Sequence, residues 1–546
     1  MAMSDNKMGE EDEFGVERCH PNDKKALLQI KKDLNTPPNS NLISSWDWDP
    51  LVDCCDWDNI VRCGGAADRI ILFNLILADL NHLPIPAAVS DLEYLEELYL
   101  HSTNLTGEIP KEITKLSHLK YLDLRFNHLS GNIPSFLSRL QTLTSLDLSN
   151  NDFTGSIPAS ISQLPNLNTL FLNRNKLTGE IPGSFSDFRQ PKFYIDLSGN
   201  RLAGEIPSRL GNVDFQVIDV SRNRLVGDIS FLFGMNKSLI YADFSRNLLE
   251  FDFSKVEYFP VSLSTLDLSH NRVTGRLPEG LVKSNIGRLN VSYNRLCADF
   301  NRLIPAAVFD LVFLQELILH KANFTGRIPQ AITNLSHLKI LDLSWNRLSG
   351  NIPPFLSQLS KLELIELSFN NFTGSIPASL SQLQNLTGLF LGRNKLTGQI
   401  PETFADFRQR DFYLHMSHNQ LSGEIPKKMG HANITDIDVS RNRLEGDISF
   451  LFGKNTSLIY ADFSRNLFRF DFSKVEYFSK SLRGLDLNHN MITGSLAVGL
   501  VDSSLDRLNV SYNRMCGRIP VGGRLQEFET TSYFHNRCLC GAPLLE

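Results

Sequence analysis

The sequence predicts an α/β solenoid, a right-handed superhelix with a long concave parallel β-sheet and disulfide-stabilised caps. Three observations predict this fold. A unit of the form LxxLxLxxNxLxGxIP recurs from about residue 80 onward, the array of units is duplicated, and cysteines cluster towards both ends of the 546-residue chain. A period of about 20–50 residues is typical of repeat architectures, in which stacked units share one continuous core.

Each unit predicts one short strand followed by a tight turn. Alternating LxL places two leucines inward and their neighbours outward, which is the period-2 pattern of a strand. The asparagine that follows can satisfy backbone groups of the turn, and the glycine and proline of GxIP suit the bend after it. The unit is that of a leucine-rich repeat, and its asparagine predicts about 19 repeats. These asparagines are Asn81, Asn104, Asn127, Asn151, Asn175, Asn200, Asn223, Asn247, Asn271, Asn294, Asn323, Asn346, Asn370, Asn394, Asn419, Asn442, Asn466, Asn490 and Asn513.

The duplication divides the array into two copies. GDISFLFG begins at Gly227 and again at Gly446, and FDFSKVEYF begins at Phe251 and again at Phe470, so the copies are offset by 219 residues. We expect one continuous solenoid rather than two separate domains, because the seam between the copies contains nothing that could cover an exposed apolar edge. The predicted segments are a disordered leader or tag at 1–18, an N-terminal cap at 19–69, copy one at 70–296, copy two at 297–515 and a C-terminal cap at 516–546.

The eight cysteines point to disulfides in the caps. The adjacent pair Cys54–Cys55 and the CLC sequence at Cys538–Cys540 do not fit the usual CxxC spacing of zinc ligands. Disulfides imply an oxidising compartment. Cys297 at the seam stands some ten repeats, or about 50 Å, from the C-terminal cap, so we expect it to be unpaired in the monomer.

Composition and motifs exclude several functional classes. The net charge is −6 and no run of 18 apolar residues occurs, so neither a nucleic-acid partner nor a transmembrane segment is predicted. No HExxH, GxSxG, P-loop or GxGxxG motif stands in a suitable context, so we expect no enzyme activity, catalytic residue, metal or cofactor. The segment Asp23–Leu34 has helical apolar spacing, with Asn22 or Asp23 as its N-terminal cap.

The residue between the two strand leucines should point to the concave face, and eleven of these eighteen positions are acidic. One interpretation is a solvated stripe in which each aspartate bonds to neighbouring backbone. The other is a negative strip that steers a basic protein surface onto the face and fixes its register. Phe171 and Phe390, together with Tyr99, interrupt the strip and suit interface anchors. The acidic positions are Asp123, Asp147, Asp196, Asp219, Asp243, Asp267, Asp342, Glu366, Asp438, Asp462 and Asp486.

Ten NxS/T sequons are consistent with a glycoprotein. Asn104 and Asn323 are interpreted as inward-facing repeat asparagines, and Asn290 and Asn509 lie within predicted strands, so none of these four is expected to carry a glycan. The better acceptors are Asn236, Asn334, Asn385, Asn433 and Asn455.

The ends of the chain carry a family resemblance. RCHPNDKKALLQIKKDL, CCDW, NVSYNRLC with its second copy NVSYNRMC, and the terminal GRIPVGGRLQEFETTSYFHNRCLCGAPL resemble the plant polygalacturonase-inhibiting proteins, from Arg18 onward. The resemblance implies the disulfides Cys19–Cys54, Cys55–Cys63 and Cys516–Cys538. It also implies a monomeric protein, secreted to the cell wall or apoplast for plant defence, whose concave face binds a fungal endopolygalacturonase and blocks its substrate cleft. Cell-wall pectin is a further expected partner.

Three features depart from that family. The Cys55–Cys63 segment is one residue longer than usual, Cys540 lacks the family's final cysteine as a mate, and the chain carries nearly twice the usual number of repeats. The duplication raises the expectation that one chain binds two enzymes. Two other functions remain open, namely a receptor-like module that senses a peptide or oligogalacturonide, and an ice-binding protein, because a similar ice-binding leucine-rich repeat relative shares both ends.

Overall fold

The computed structural model describes residues 19–34, 53–57, 60–64, 68–76, 80, 82–235, 237–296, 303–407, 409, 411–453 and 456–544. The chain forms two compact units, Met1–Gly227 and Asp228–Glu546. Each unit is a stack of leucine-rich repeats, as the repeat pattern predicts. Among the described residues, none of the helices has the length and apolar character needed to cross a bilayer.

Each unit has a sheet of short strands that contain the LxL positions. Among the described residues, the strands within each unit pair in parallel, except that Val61–Gly64 runs antiparallel to Arg69–Asn74 in the first unit. The strands of the first unit are Val61–Gly64, Arg69–Asn74, Glu97–Tyr99, Tyr121–Asp123, Ser145–Asp147, Thr169–Phe171, Phe193–Asp196 and Phe215–Asp219. Those of the second unit are Tyr241–Asp243, Thr265–Asp267, Arg288–Asn290, Glu316–Ile318, Ile340–Asp342, Leu364–Glu366, Gly388–Phe390, Phe412–His415, Ile434–Asp438, Tyr460–Asp462, Gly484–Asp486 and Arg507–Asn509.

The return path of each repeat is made of short strands and 3₁₀ helices, because the proline of GxIP starts a turn that has few helix-forming residues to extend it. In the first unit the short strands are Thr106–Gly107, His128–Leu129, Ala203–Glu205 and Arg224–Gly227, and the 3₁₀ helices are Cys54–Asp56, Ala87–Asp91, Lys111–Lys115, Ser135–Arg139, Ala159–Gln163, Gly183–Asp187 and Ser208–Asn212.

The second unit repeats this arrangement. Its short strands are Leu248–Leu249, Thr325–Gly326, Arg347–Asn351, Asn371–Gly374, Lys395–Gly398, Gln420–Glu424, Arg443–Gly446, Leu467–Phe468, Cys516–Arg518 and Cys538–Cys540. Its 3₁₀ helices are Ser230–Leu232, Phe253–Lys255, Glu279–Lys283, Ala306–Asp310, Gln330–Asn334, Pro354–Gln358, Ala378–Gln382, Glu402–Asp406, Lys427–His431, Ser449–Leu451, Phe472–Lys474, Val498–Leu500 and Thr530–Ser532.

Most of the repeat asparagines that the structure describes are buried, and they bind the turns of adjacent repeats together. Asn346 is 8% exposed, and its Oδ1 accepts the backbone N–H groups of Ala322 and Phe324 at 3.2 and 2.9 Å. Its Nδ2 donates to the carbonyl oxygens of Leu319 and Leu343, both at 2.9 Å. One amide therefore satisfies backbone groups of two successive turns, as the sequence predicts.

In two repeats the prediction of the inward asparagine is wrong by one residue. The inward position after the strand leucines is occupied by Thr103 in one repeat and by Ala322 in another, and these side chains are 0% and 1% exposed. Asn104 and Asn323 follow them in a left-handed backbone conformation, with φ of 61° and 63°. Asn323 is exposed, so the argument that buried amides exclude glycans at these two sequons fails.

The ladder of strands continues through the seam between the copies. Within the second unit, Arg288–Asn290 pairs in parallel with Glu316–Ile318, with Leu289 opposite Leu317. The division between the two compact units falls at Gly227, well before this seam. Cys297 lies outside the described residues, and so do the predicted leader, Asn81, Asn236 and Asn455.

The N-terminal cap is one α-helix packed against the start of the sheet. The helix Pro21–Asp33, α1, begins two residues earlier than predicted, because His20 rather than Asn22 or Asp23 is its N-cap and accepts the Asn22 N–H through its ring. Asp23 is instead 1% exposed and bound by Arg69.

The caps contain the three disulfides implied by the resemblance. Their Cα–Cα distances are 5.5 Å for Cys19–Cys54, 5.4 Å for Cys55–Cys63 and 4.3 Å for Cys516–Cys538. Each falls near or within the range that a disulfide spans. Cys540 is an exposed free thiol.

Candidate functional site

The residues predicted to face outward from the strands lie next to one another in register. In the first unit Asp123 pairs with Asp147, and Asp196 pairs with Asp219. In the second unit Asp438 pairs with Asp462, which pairs with Asp486. We call the eleven acidic residues the carboxylate column: Asp123, Asp147, Asp196, Asp219, Asp243 and Asp267, then Asp342, Glu366, Asp438, Asp462 and Asp486.

One oxygen of every column carboxylate has a structural role. In each of the eleven residues it accepts the backbone N–H two residues further along, at 2.8–3.1 Å. Asn290 and Asn509 occupy the same position and make the same bond through Oδ1, at 3.2 and 3.1 Å. The column therefore fixes the turns that end the strands, which is the first of the two interpretations drawn from the sequence.

Burial makes several of these carboxylates weak acids. Burial, with the nearby charges of Asp486 and Asp438 adding to it, raises the pKa of Asp462 to about 6. Burial likewise raises the pKa of Asp123, Glu366 and Asp486. Adjacent like charges in a partly desolvated row cost stability, and a cationic group that approached the column would reduce that cost.

The raised pKa of Asp462 predicts a pH-dependent effect on stability. Since the folded carboxyl keeps its proton up to about pH 6, while the unfolded one loses it near its usual value, the free energy of unfolding falls as pH rises through this window. Asp462→Asn should therefore stabilise the protein by about 1 kcal/mol at pH 7 and by almost nothing at pH 4. Urea denaturation at both pH values measures this difference, and an equal effect at the two pH values would contradict it.

Two grooves of the second unit are lined partly by column residues. The C-terminal groove, of about 740 Å³, is bordered by Asp438, Asp462 and Asp486 and by Phe528 and Glu529 of the following loop. The aromatic groove, of about 440 Å³, is lined by His320, Asp342, Ser344, Trp345, Glu366, Ser368, Phe369, Phe390, Gly392, Arg393, His415, Ser417 and Asp438.

His415 lines both grooves and is paired with Asp436. Its Nε2 lies 2.9 Å from Asp436 Oδ1. Burial disfavours the charged imidazolium, but Asp436, with help from Asp438 and Glu366, outweighs burial and raises the pKa of His415. An imidazole paired with a carboxylate thus stands at the position at which copy one has the acid Asp196.

The predicted aromatic anchors are only partly accessible. Phe171 and Phe390 are half-buried, and the Phe390 ring packs edge-on against His415 with 5.0 Å between ring centroids. Tyr99 donates its hydroxyl to Glu97 at 3.0 Å, and burial together with this bond raises the pKa of Tyr99 to about 12.

The sequence interpretation missed a row of side chains beside the column. These residues immediately precede the inward asparagine position, and they adopt a left-handed conformation, for example φ of 54° at Trp345 and 56° at Phe369. Such values are uncommon for bulky residues. Reading this position along the same period as the column would have revealed a run of aromatic and basic residues. We call the following residues the rim row: His270, Tyr293, Lys321, Trp345, Phe369 and Arg393.

Three of the five preferred sequons can be located. Asn334, Asn385 and Asn433 are exposed, as a glycan acceptor must be. Within the described residues, potential metal-ligating atoms of at least three side chains converge at Cys19, Asp53, Cys54 and Cys55. Three of those four are disulfide-bonded and unable to act as thiolate ligands.

Family models match several parts of the chain. The leucine-rich repeat N-terminal domain model matches residues 20–63, and leucine-rich repeat models match 94–116, 118–140, 141–202, 193–213, 262–283, 337–359, 361–383 and 385–407. Among curated proteins, the chain is 57% identical over 108 residues to polygalacturonase inhibitor 1 of Arabidopsis thaliana, a stretch covering 20% of this chain and 32% of that protein. The chain is also 57% identical over 108 residues to the polygalacturonase inhibitor of Vitis vinifera, a stretch covering 20% of this chain and 32% of that protein. The matched stretch thus spans about a third of the length of these relatives.

Solved structures extend the similarity of fold over most of the chain. The leucine-rich repeat ectodomain of the Arabidopsis thaliana receptor kinase GASSHO1/SCHENGEN3 is similar with a TM-score of 0.73 and 29% identity, over 90% of this chain and 65% of that one. The ectodomain of the Arabidopsis receptor kinase HAESA is similar with a TM-score of 0.60 and 26% identity, over 96% of this chain and 98% of that one.

Proposed function

Because the chain belongs to the plant leucine-rich repeat proteins of the polygalacturonase-inhibitor type, we propose that it inhibits fungal endopolygalacturonases by docking on their substrate cleft. The observation that carries this proposal is the 57% identity to proteins named as polygalacturonase inhibitors. That name favours an inhibitor over the receptor-like and ice-binding alternatives.

The proposed mechanism is occlusion without chemistry. One oxygen of each column carboxylate accepts a backbone N–H, which is a neutral donor, so the carboxylates carry negative charge at pH values above their pKa. A basic enzyme surface would be attracted to this column, and charge complementarity would fix its register on the strands. A protein seated in this way excludes the polymeric substrate from the cleft.

The proposed function also implies an oligomeric state, a location and a modification for the chain. The chain is proposed to act as a monomeric glycoprotein in the plant cell wall or apoplast, with cell-wall pectin as a further partner. Three disulfides fit an oxidising compartment. The exposed Asn334, Asn385 and Asn433 are the proposed glycan acceptors among the described residues.

Removing column charges should weaken inhibition. The triple variant Asp147→Asn, Asp196→Asn, Asp219→Asn keeps the backbone bond, since Asn290 and Asn509 make it in the same position. We expect the inhibition constant for a fungal endopolygalacturonase to rise about tenfold and its dependence on salt to decrease, because charge pairs across an interface set both. A reducing-sugar release assay measures this.

A matched control separates the effect of the column carboxylates from the effect of a change in net charge. The triple variant Glu112→Gln, Glu279→Gln, Glu402→Gln removes the same charge from the 3₁₀ helices and should leave inhibition unchanged. Equal inhibition by the column variant and the unaltered chain would reject the column as the docking site. Titration calorimetry gives the number of enzymes per chain, for which we propose two.

A further inference from the structure

The rim row of the second unit forms an alternating stack of rings and cations. The rings of His270 and Tyr293 stack with 3.9 Å between centroids, and those of Trp345 and Phe369 with 3.8 Å. The Lys321 ammonium lies 5.1 Å from the Tyr293 ring and 6.0 Å from the Trp345 ring. The Arg393 guanidinium, 5.0 Å from the Phe369 ring, closes the other end.

This stack is ordered before any partner arrives. Stacking and cation–π contacts hold each ring against its neighbours, so little side-chain entropy remains to be lost on binding. The Trp345 side chain nevertheless stays 47% exposed and that of Tyr293 38% exposed. Preordered, partly exposed aromatic and arginine side chains are the residue types that dominate binding energy at protein interfaces.

The aromatic groove lies directly beside this stack. Trp345 and Phe369 form one side of the groove, and Phe390 also lines it. Small residues keep the groove open: Gly392 has no side chain, and Ser344 folds its hydroxyl back onto Asp342 at 2.5 Å. The groove therefore has an apolar side and space for one inserted side chain.

Acidic and basic groups both line the aromatic groove. Asp342, Glu366 and Asp438 are its carboxylates, and Arg393, His320 and His415 are its basic groups. Each carboxylate already accepts a backbone N–H, from Ser344, Ser368 and Ser440 respectively. An apolar side chain can therefore pack against Trp345, Phe369 and Phe390 without removing the hydrogen bonds of these carboxylates.

Copy one lacks this groove chemistry at the equivalent positions, 219 residues earlier. Arg125 replaces Ser344 there, and its guanidinium lies 3.4 Å from Asp123 and 3.7 Å from Asp147. Asn150 stands in place of Phe369, so the paired aromatic wall is absent. The copies thus share the column and differ in what lies next to it.

We propose that the aromatic groove is a docking site for a protruding aromatic or long aliphatic side chain on the surface of a partner enzyme. This inference rests on the proposed function and deepens it. Copy one would select an enzyme with a basic surface, and copy two an enzyme that also presents an apolar side chain beside its cleft. The duplicated chain would thereby recognise two classes of enzyme surface.

The test exchanges the rim residues of the two copies. In the full chain, the variant Trp345→Phe, Phe369→Asn gives copy two the residues of copy one. Asn tolerates a left-handed backbone well, so folding should be retained. The reciprocal variant Phe126→Trp, Asn150→Phe is the matched control. Urea denaturation of each verifies the fold.

Two readouts keep the groove and the proposed function distinguishable. The first is the fluorescence of 1-anilinonaphthalene-8-sulfonate, whose rings suit the groove and whose sulfonate suits Arg393. The second is inhibition of a fungal endopolygalacturonase by a chain whose copy-one column carries the three asparagine substitutions above. We expect the exchange in copy two to abolish a saturable dye signal and to weaken inhibition about tenfold at both low and high salt.

The outcomes are decisive in each case. Equal dye fluorescence from the exchanged and unaltered chains would overturn the groove, and so would unchanged inhibition after loss of the dye signal. If the unaltered chain binds no enzyme, the proposed function fails. A dye signal that disappears with the exchange would then still support the groove as an apolar binding site.

Discussion

Replacing Asn346 by leucine should lower the free energy of unfolding by about 4 kcal/mol. Leucine has the same number of side-chain heavy atoms and the same branching as asparagine, but no hydrogen-bonding groups. The N–H groups of Ala322 and Phe324 and the carbonyl oxygens of Leu319 and Leu343 would lose this partner. Each buried polar group without a partner costs about 1–3 kcal/mol, and relaxation of the turns recovers some of the total.

Hydrogen exchange and urea denaturation should both show this effect. Because each repeat contacts only its neighbours, protection should be lost most strongly in the strands Glu316–Ile318 and Ile340–Asp342. Asn334→Leu is the control, since Asn334 is exposed at the end of a 3₁₀ helix. A loss below about 1 kcal/mol for Asn346→Leu would mean that the amide is not what holds the two turns together.

The pairing register of the strands could be predicted from the sequence. The identity of the buried residue that follows the strand could not be predicted in every repeat. LxL repeats at a nearly constant spacing, so Asp123 and Asp147 had to become neighbours on a parallel sheet. The inward asparagine was misplaced where the repeat tolerates another residue. Buried Thr103 and Ala322 take its place, and each is followed by an asparagine that mimics the pattern. Finding an asparagine in the repeat does not by itself distinguish the buried position from the one after it, because burial depends on how many residues separate the position from the strand leucines.

The nature of the candidate site was predicted only in part. The sequence indicated eleven outward carboxylates, and the structure bonds one oxygen of each to a backbone N–H. That bond depends on the turn following the strand, which spacing alone does not describe. The rim row could not be predicted as a stack, because its residues lie in the turn after each strand, where the left-handed backbone sets the direction of the side chain. The contact between Trp345 and Phe369 needs two residues 24 positions apart to share a left-handed conformation, and this emerges from the stacked backbone.

Replacing Asp23 by alanine should detach the N-terminal cap from the first repeats. Asp23 accepts two bonds from the Arg69 guanidinium, at 2.9 and 2.7 Å, and a third from the Ile70 N–H at 2.9 Å. The Asp23 and Arg69 side chains are only 1% and 11% exposed. Removing one partner leaves a buried guanidinium and an unpaired N–H, at a cost of about 3–5 kcal/mol.

The effect should extend beyond the helix, since Arg69 also lies 4.1 Å from the centre of the Tyr94 ring in the next repeat. We expect hydrogen exchange to accelerate in α1 and in Arg69–Asn74, because an uncovered apolar edge frays a repeat stack from its end. Asp91→Ala is the control. It removes a carboxylate that is 57% exposed and paired with Lys115, and surface pairs of this kind contribute at most about 1 kcal/mol. If the two variants were equally stable, the buried pair would be dispensable, and α1 would be held by its apolar contacts and the Cys19–Cys54 disulfide alone.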